Sequence, residues 1–244
     1  MNPRLSLIIP AFNEEARLPG TIEQVTRYLR DQPFRWEILV VDNASTDGTS
    51  QVVQRLSSQV ANLRLLHEPR RGKGAAVRTG VLAAQGEFRF ICDADLSMPI
   101  EELVKFLPPT LTDFDVAIAS REVPGAVRIN EPAYRHWIGR AFNALVRLIA
   151  LPGLHDTQCG FKCFRAAAAE DLFRRQTILG WTFDVEILFL ARKSGYRIVE
   201  VPIRWIHIPG SRVRIARDSL AMFLDLLRIR WNWLRGRYEN RLSH

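Results

Sequence analysis

Through its first 120 residues this chain repeats one unit: a short apolar run, a turn, then an amphipathic run. Strands that alternate with helices at this spacing pack into a mostly parallel sheet, with helices on both faces. The class is therefore α/β. The expected strands are Leu5–Phe12, Trp36–Val41, Leu63–His67, Phe88–Cys92 and Val116–Ser120. The helices between them run from about Glu14 to Arg30, on to about Ser58, over Lys73–Ala84, and over Pro99–Leu107 behind a leading proline. Asp47 or Ser45 can cap the second of these helices.

Sheets of this kind place their ligands beyond the carboxyl ends of the strands. Glu14, Asp42, Asp93 and Arg121 fall at or just after such ends. The stretch with the sharpest chemistry is Phe88–Asp95, FRFICDAD. Asp93 and Asp95 can leave the strand end together, with the small Ala94 between them. They can then share a hard divalent ion such as Mg2+ or Mn2+, and an ion with open positions can hold a diphosphate. The alternative is a solvated turn, since Asp is a common turn residue. No GxGxxG follows the first strand, and RRGKGAA at Arg70–Ala76 lacks the Walker spacing, so dinucleotide and P-loop folds are disfavoured. That segment can hold phosphate through backbone N–H groups and Lys73, or it is a plain glycine-rich helix start.

The second half changes character. Glu122–Asn130 reads as a mobile loop, Glu131–Ile149 as a helix, Lys162–Arg165 as a short strand, and Ala166–Phe173 and Trp181–Lys193 as helices. Arg197–Arg204 is the last strand expected. Arg217–Leu234 then has Arg217, Asp218, Ala221, Asp225, Arg228, Asn232 and Arg235 along one side, and Leu220, Phe223, Leu224, Leu227, Trp231 and Leu234 along the other. Charge sharpens this reading. The chain carries +8, and Val201–His244 holds nine Arg against three acidic residues, so +6 sits in this tail. A basic amphipathic helix suits an anionic membrane surface, its own domain or a homodimer contact. Nucleic acid is not expected, because the aromatics fit an amphipathic helix better than a base-stacking platform. The chain divides into a catalytic domain over 1–210 and a basic helical extension over 211–244. The three Cys read as buried thiols rather than disulfide or zinc ligands. The N-terminus lacks a secretory pattern, and no uncharged apolar run approaches the ~18 residues of a membrane span. A cytoplasmic chain, held peripherally on the cytoplasmic face of the membrane, is the expectation.

The motifs LSLIIPAFNEEARLP, ILVVDNASTDGT, RGKGAAVRTG, ICDADLS, DTQCGFKCF, WTFDVEIL and IPGSRVRIARDSLAMFLDLLRIRWNWLRGRY resemble those of family 2 glycosyltransferases with the GT-A (Rossmann-like) fold. Within them the chain is most similar to dolichyl-phosphate (polyprenyl-phosphate) beta-glucosyltransferases, over roughly residues 5–240. The resemblance implies that Pro10, Ala11, Phe12 and Glu14 line a nucleoside pocket, and that Asp42 meets the uracil or ribose with Lys73 nearby. Asp93, Ala94 and Asp95 correspond to the metal-binding acidic motif. Arg121 and Arg135 fall where relatives use basic groups toward phosphate. Gln158 and Gly160 belong to a loop near the sugar, while Trp181, Asp184 and Glu186 match an acceptor-side helix. Ser211 and Arg212 match a Ser-Lys pair, with Arg offering a planar fork in place of a point charge. Asn43 stands where the family usually has Asp. The implied reaction is inverting transfer of glucose from UDP-glucose to a polyprenyl monophosphate. A GDP-mannose donor, or a soluble or polysaccharide acceptor, is the alternative.

Overall fold

The structure is a computed structural model that describes residues 2–132, 140, 143–208 and 215–239, with the backbone alone for 215–219. The strands are β1 (Leu5–Ala11), β2 (Trp36–Asp42), β3 (Leu63–His67), β4 (Phe88–Ile91), β5 (Val116–Ser120), β6 (Val127–Ile129), β7 (Lys162–Arg165), β8 (Ile198–Pro202) and β9 (Arg204–Ile206). The helices are α1 (Leu18–Arg30), α2 (Thr49–Ser57), α3 (Lys73–Ala83), α4 (residues 143–149), α5 (Ala166–Arg175), α6 (Phe183–Lys193) and α7 (Ile215–Leu234). A 3-10 helix spans Ile100–Phe106.

Local sequence explains the first half well. β2 has the apolar run Ile38–Val41, covered on both faces, as a central parallel strand must be. α1 starts with a proline in its first turn and buries Leu18, Ile22, Val25 and Leu29, one stripe at helical spacing. At the start of α2 the capping residue is Gly48, and Asp47 acts from one position further out. Its carboxylate accepts the Thr49 N–H at 3.0 Å and the Thr49 hydroxyl at 2.5 Å.

Seven strands form one sheet in the order β3-β2-β1-β4-β7-β5-β8, all parallel except β7. The inversion of β7 matters for the site. Lys162, its first residue, pairs with Ile91, the last residue of β4. The approach to β7, Gln158–Gly160, therefore meets Asp93 at the same edge of the sheet. The expected loop at 122–130 contains β6, which pairs in parallel with β9. The expected strand Arg197–Arg204 is two strands, since β8 stays in the large sheet and β9 leaves it after Pro202.

The core is two apolar layers. One lies between the sheet and α1, α2 and the 3-10 helix, centred on Ile9, Val25, Phe90 and Phe106. The other lies under α3, α5, α6 and α7, centred on Ile8, Val77, Phe173 and Leu188. α7 joins the second layer through Leu226 and Ile229, with Asn232 and the following Tyr238 also buried. Here the sequence pattern misleads. Of the six residues assigned to its apolar side, Leu220, Leu224, Leu227, Trp231 and Leu234 are exposed, and Asn232 from the polar side is buried. Among the described residues no helix is long and apolar enough to cross a membrane.

Candidate active site

The carboxyl edge of the sheet opens into a cavity of about 600 Å3. Several segments build it: the turn after β1, the start of α3, the turn after β4, the approach to β7, the start of α6, and the segment around β9. At its first end lie Pro10, Ala11, Phe12 and Glu14. The Arg71 guanidinium covers the Phe12 ring, 5.3 Å from its centre, and Arg17 donates to Glu14 at 2.6 Å. Asp42 is not among the lining residues. Its carboxylate accepts the Ser45 N–H at 3.1 Å and the Ser50 hydroxyl, and lies 3.8 Å from His67 Nδ1. Asn43 takes the place at the cavity wall. Its Nδ2 donates to the carbonyls of Glu68 (3.1 Å) and Arg70 (2.7 Å), and its Oδ1 accepts the Gly72 N–H at 2.8 Å. An amide, with a donor and an acceptor, shapes the loop before α3 in a way that a carboxylate could not.

That loop delivers Lys73. Gly72 has φ +136°, and a Cβ on it would lie 2.1 Å from the Leu179 carbonyl oxygen, so only glycine fits there. Lys73 Nζ sits 2.5 Å from Asp93 Oδ1 and 5.8 Å from the centre of the Trp181 ring. Burial opposes its charge, but Asp93, Asp184 and Asp95 outweigh that and raise its pKa above the ordinary lysine value. Asp95 Oδ1 accepts the Ser97 N–H at 2.9 Å.

Asp93 and Asp95 both line the cavity with Ala94 between them. A Cβ on Gly160 would lie 1.9 Å from Asp93 Oδ2, so the glycine leaves this carboxylate its place. Among the described residues no three His, Cys, Asp or Glu side chains cluster as a closed metal cage. A hard cation held by one or two carboxylates, with its remaining positions open to water and phosphate oxygens, needs no such cage.

On the far wall Arg121 is clamped by the fully buried Asp156, through Nε at 2.7 Å and Nη2 at 3.0 Å, and lies over Trp205 at 5.4 Å. Burial would push the Asp156 carboxyl up, but the guanidinium holds it below the usual range. Gln158, Trp181 and Asp184 complete this side. Asp184 pairs with the buried Lys162 at 2.7 Å, and burial raises its pKa despite Lys162 and Lys73.

Glu186 does not line the cavity. It is fully buried behind it, with hydroxyl donors on Oε1 and backbone N–H donors on Oε2. Two positions after Asp184 on α6, it faces away, because residues two apart do not share a helix face. Arg135, Ser211 and Arg212 lie outside the described residues. The cavity also recruits residues that the sequence reading did not single out: Arg17, Arg71, Trp205, His207 and Met222. Trp205 and His207 reach it because the chain turns out of the sheet after Pro202, and no local pattern marks that turn.

A mostly parallel sheet places its ligands at this edge, and paired carboxylates there suit the chemistry of a metal-bound diphosphate. A solved structure of glucosyl-3-phosphoglycerate synthase from Mycobacterium tuberculosis, in complex with Mn2+, UDP-glucose and phosphoglyceric acid, shares the fold with a TM-score of 0.65 at 17% identity, covering 97% of this chain and 80% of that one. The chain belongs to glycosyl transferase family 2, whose sequence profile matches residues 6–173. It is 35% identical over 241 residues to a dolichyl-phosphate beta-glucosyltransferase of Trichomonas vaginalis, covering 92% of this chain and 72% of that protein. It is 34% identical over 253 residues to the Homo sapiens dolichyl-phosphate beta-glucosyltransferase, covering 97% and 78%.

Proposed function

We propose that this enzyme transfers glucose from UDP-glucose to a dolichyl-type polyprenyl monophosphate, giving a β-linked lipid phosphate sugar. One observation carries the reading: relatives from protozoan to human, named for that product, align along nearly the whole chain. The cavity supports it. Phe12 and Arg71 offer a stacked end for the nucleoside. Lys73 brings a positive charge to the middle, where the diphosphate would lie. Asp93 and Asp95 would hold Mg2+ or Mn2+, which offsets diphosphate charge when bound.

Asp184, Trp181 and Gln158 would then face the sugar. Lys162 fixes the Asp184 carboxylate, so its orientation costs nothing when substrate arrives. Arg121 stands where the acceptor phosphate would approach, with its plane set by Asp156 and Trp205. Arg135, and Arg212 with Ser211, are assigned to the same phosphate. A phosphate monoester is anionic near neutral pH, with a second pKa of about 6, so the nucleophile needs little proton removal. The requirement for a strong general base is thereby relaxed. Attack opposite the leaving group inverts the anomeric centre. The exposed face of α7, with Leu224, Leu227, Trp231 and nearby Arg228 and Arg235, is the proposed contact with an anionic membrane surface.

The test is purified protein with UDP-glucose or GDP-mannose, Mg2+ or Mn2+, and a polyprenyl phosphate, with products read by mass. The expected product is a hexosyl lipid phosphate from UDP-glucose. Product from GDP-mannose alone would reassign the donor, and no lipid product would overturn the reading.

A further inference from the structure

Glu186 takes no part in the mechanism above, yet its surroundings are built with care. Its Oε2 accepts the backbone N–H groups of Thr177 (3.0 Å) and Ile178 (2.8 Å). Its Oε1 accepts the Thr177 hydroxyl (2.5 Å) and the Tyr238 hydroxyl (2.8 Å). Asn232 of α7 adds a second tie, donating from Nδ2 to the Thr177 hydroxyl oxygen at 3.2 Å. Two distant parts of the chain thus meet on one carboxylate: the loop before α6, and the C-terminal segment.

The loop so held leads to the cavity. Gln176 donates to the Gly74 carbonyl at 2.9 Å, and the Leu179 carbonyl accepts the Ala75 N–H at 3.1 Å. Both contacts fall on the first turn of α3, which carries Lys73, the partner of Asp93. Gly72 and Gly74 let the two segments touch at backbone distance, and a Cβ on Gly74 would lie 2.6 Å from Phe183 Cβ. Contact this close leaves little slack, so a shift of the loop is passed to Lys73 rather than absorbed.

We infer that Glu186 and Tyr238 form a positioning device, through which the hydrogen bonds of the C-terminal segment, rather than the apolar packing of its helix, set the Lys73–Asp93 pair for the nucleotide diphosphate. The inference rests on the functional reading above, in that Lys73 and Asp93 are taken to face the donor. It makes the C-terminal segment part of the donor site, although among the described residues the site touches its helix only at Met222. Neither Glu186 nor Tyr238 is a catalytic residue. They act through the loop and α3.

The test is UDP affinity of the full chain with Mn2+, by titration calorimetry. Tyr238→Phe keeps the ring and removes the hydroxyl. Asn232→Ala removes the second tie and serves if Tyr238→Phe does not fold. Each is expected to raise the Kd for UDP about fivefold, and the KM for UDP-glucose with it, while the KM for polyprenyl phosphate stays unchanged. Ile229→Ala is the control, since it loosens the same helix without touching the hydrogen-bonded set. It should lower the melting temperature and leave the UDP Kd unchanged in the folded range. Folded Tyr238→Phe and Asn232→Ala proteins that bind UDP like wild type would overturn the coupling alone. So would an Ile229→Ala protein that weakens UDP binding as much as they do. Wild-type protein that binds no UDP would overturn the functional reading and this inference with it.

Discussion

The sheet edge and the C-terminal helix solve opposite problems. Along β1, β2 and β4 the apolar side chains go inward, and the charged groups collect at the strand ends, each with a partner. On α7 the more apolar side faces out, and the face that docks carries Asn232 among Leu226 and Ile229. The difference teaches that an apolar stripe marks a surface to be covered without saying by what. In a sheet the neighbouring strands and helices of the same chain cover it. On α7 the inner contacts are already made, and five large apolar side chains remain exposed.

The hardest blow to the sheet edge should be Asp156→Ala. It leaves the Arg121 guanidinium partly buried without its clamp, a loss of about 3–5 kcal/mol. Chemical denaturation should show this as a lower midpoint with an unchanged slope. A midpoint near wild type would mean that the edge does not depend on its charge pairs. Next is Asp95→Ala, expected to lower turnover by about 10²–10³-fold while the fold survives. Near-normal transfer by a folded variant would remove the paired-carboxylate assignment.

On α7 the inner and outer faces can be set against each other directly. Ile229→Ala should cost about 2–4 kcal/mol of stability through an unfilled space in the core. Leu224→Ser and Trp231→Ser should change stability by no more than about 0.5 kcal/mol. Each should weaken pelleting with anionic vesicles about tenfold, since burial of one such side chain in lipid contributes about 1.5–3 kcal/mol. If the outer substitutions destabilise the folded chain as much as the inner one, the two faces have been misassigned. High salt should weaken wild-type pelleting by screening the Arg residues.

The same contrast explains what could be read from the chain before its structure. The apolar runs Ile38–Val41, Phe90–Cys92 and Val116–Ala119 are continuous up to the strand ends, so strand, burial and strand end are marked locally. The pocket residues at or just past strand ends, Pro10, Ala11, Asp93 and Arg121, were legible for that reason, and Lys73 was marked by the glycine-rich start of α3. Asp42 was assigned to the pocket and Asn43 was not, the reverse of what the structure shows, because one residue of difference decides which side chain turns into the cavity. Trp205 and His207 depend on the chain leaving the sheet after Pro202, and β6 depends on β9, some 75 residues away. Such pairings are set by tertiary contact and leave no local period. Glu186 was misplaced by motif, since the helix carries Asp184 to the cavity and turns Glu186 behind it.

The smallest effect concerns the loop that feeds Lys73. Glu68 accepts hydrogen bonds from Arg70 N, Nε and Nη2, each at 2.9 Å, and from the Thr79 hydroxyl at 2.6 Å. The Arg70 side chain contributes most, and together these donors lower the Glu68 pKa from 4.5 to about 2. A carboxyl depressed in the folded state binds fewer protons there than in the unfolded chain, so its contribution grows with pH. The contribution is complete above 4.5 and is lost as pH falls toward about 2. Because Arg70 is half exposed, solvent screens the pair, and Glu68→Gln should cost only about 1 kcal/mol at neutral pH. Denaturation of wild type and variant across this window should show the gap closing on acidification. A gap that stays constant down to pH 2 would show that shape alone, and not the carboxylate charge, holds the loop against Asn43.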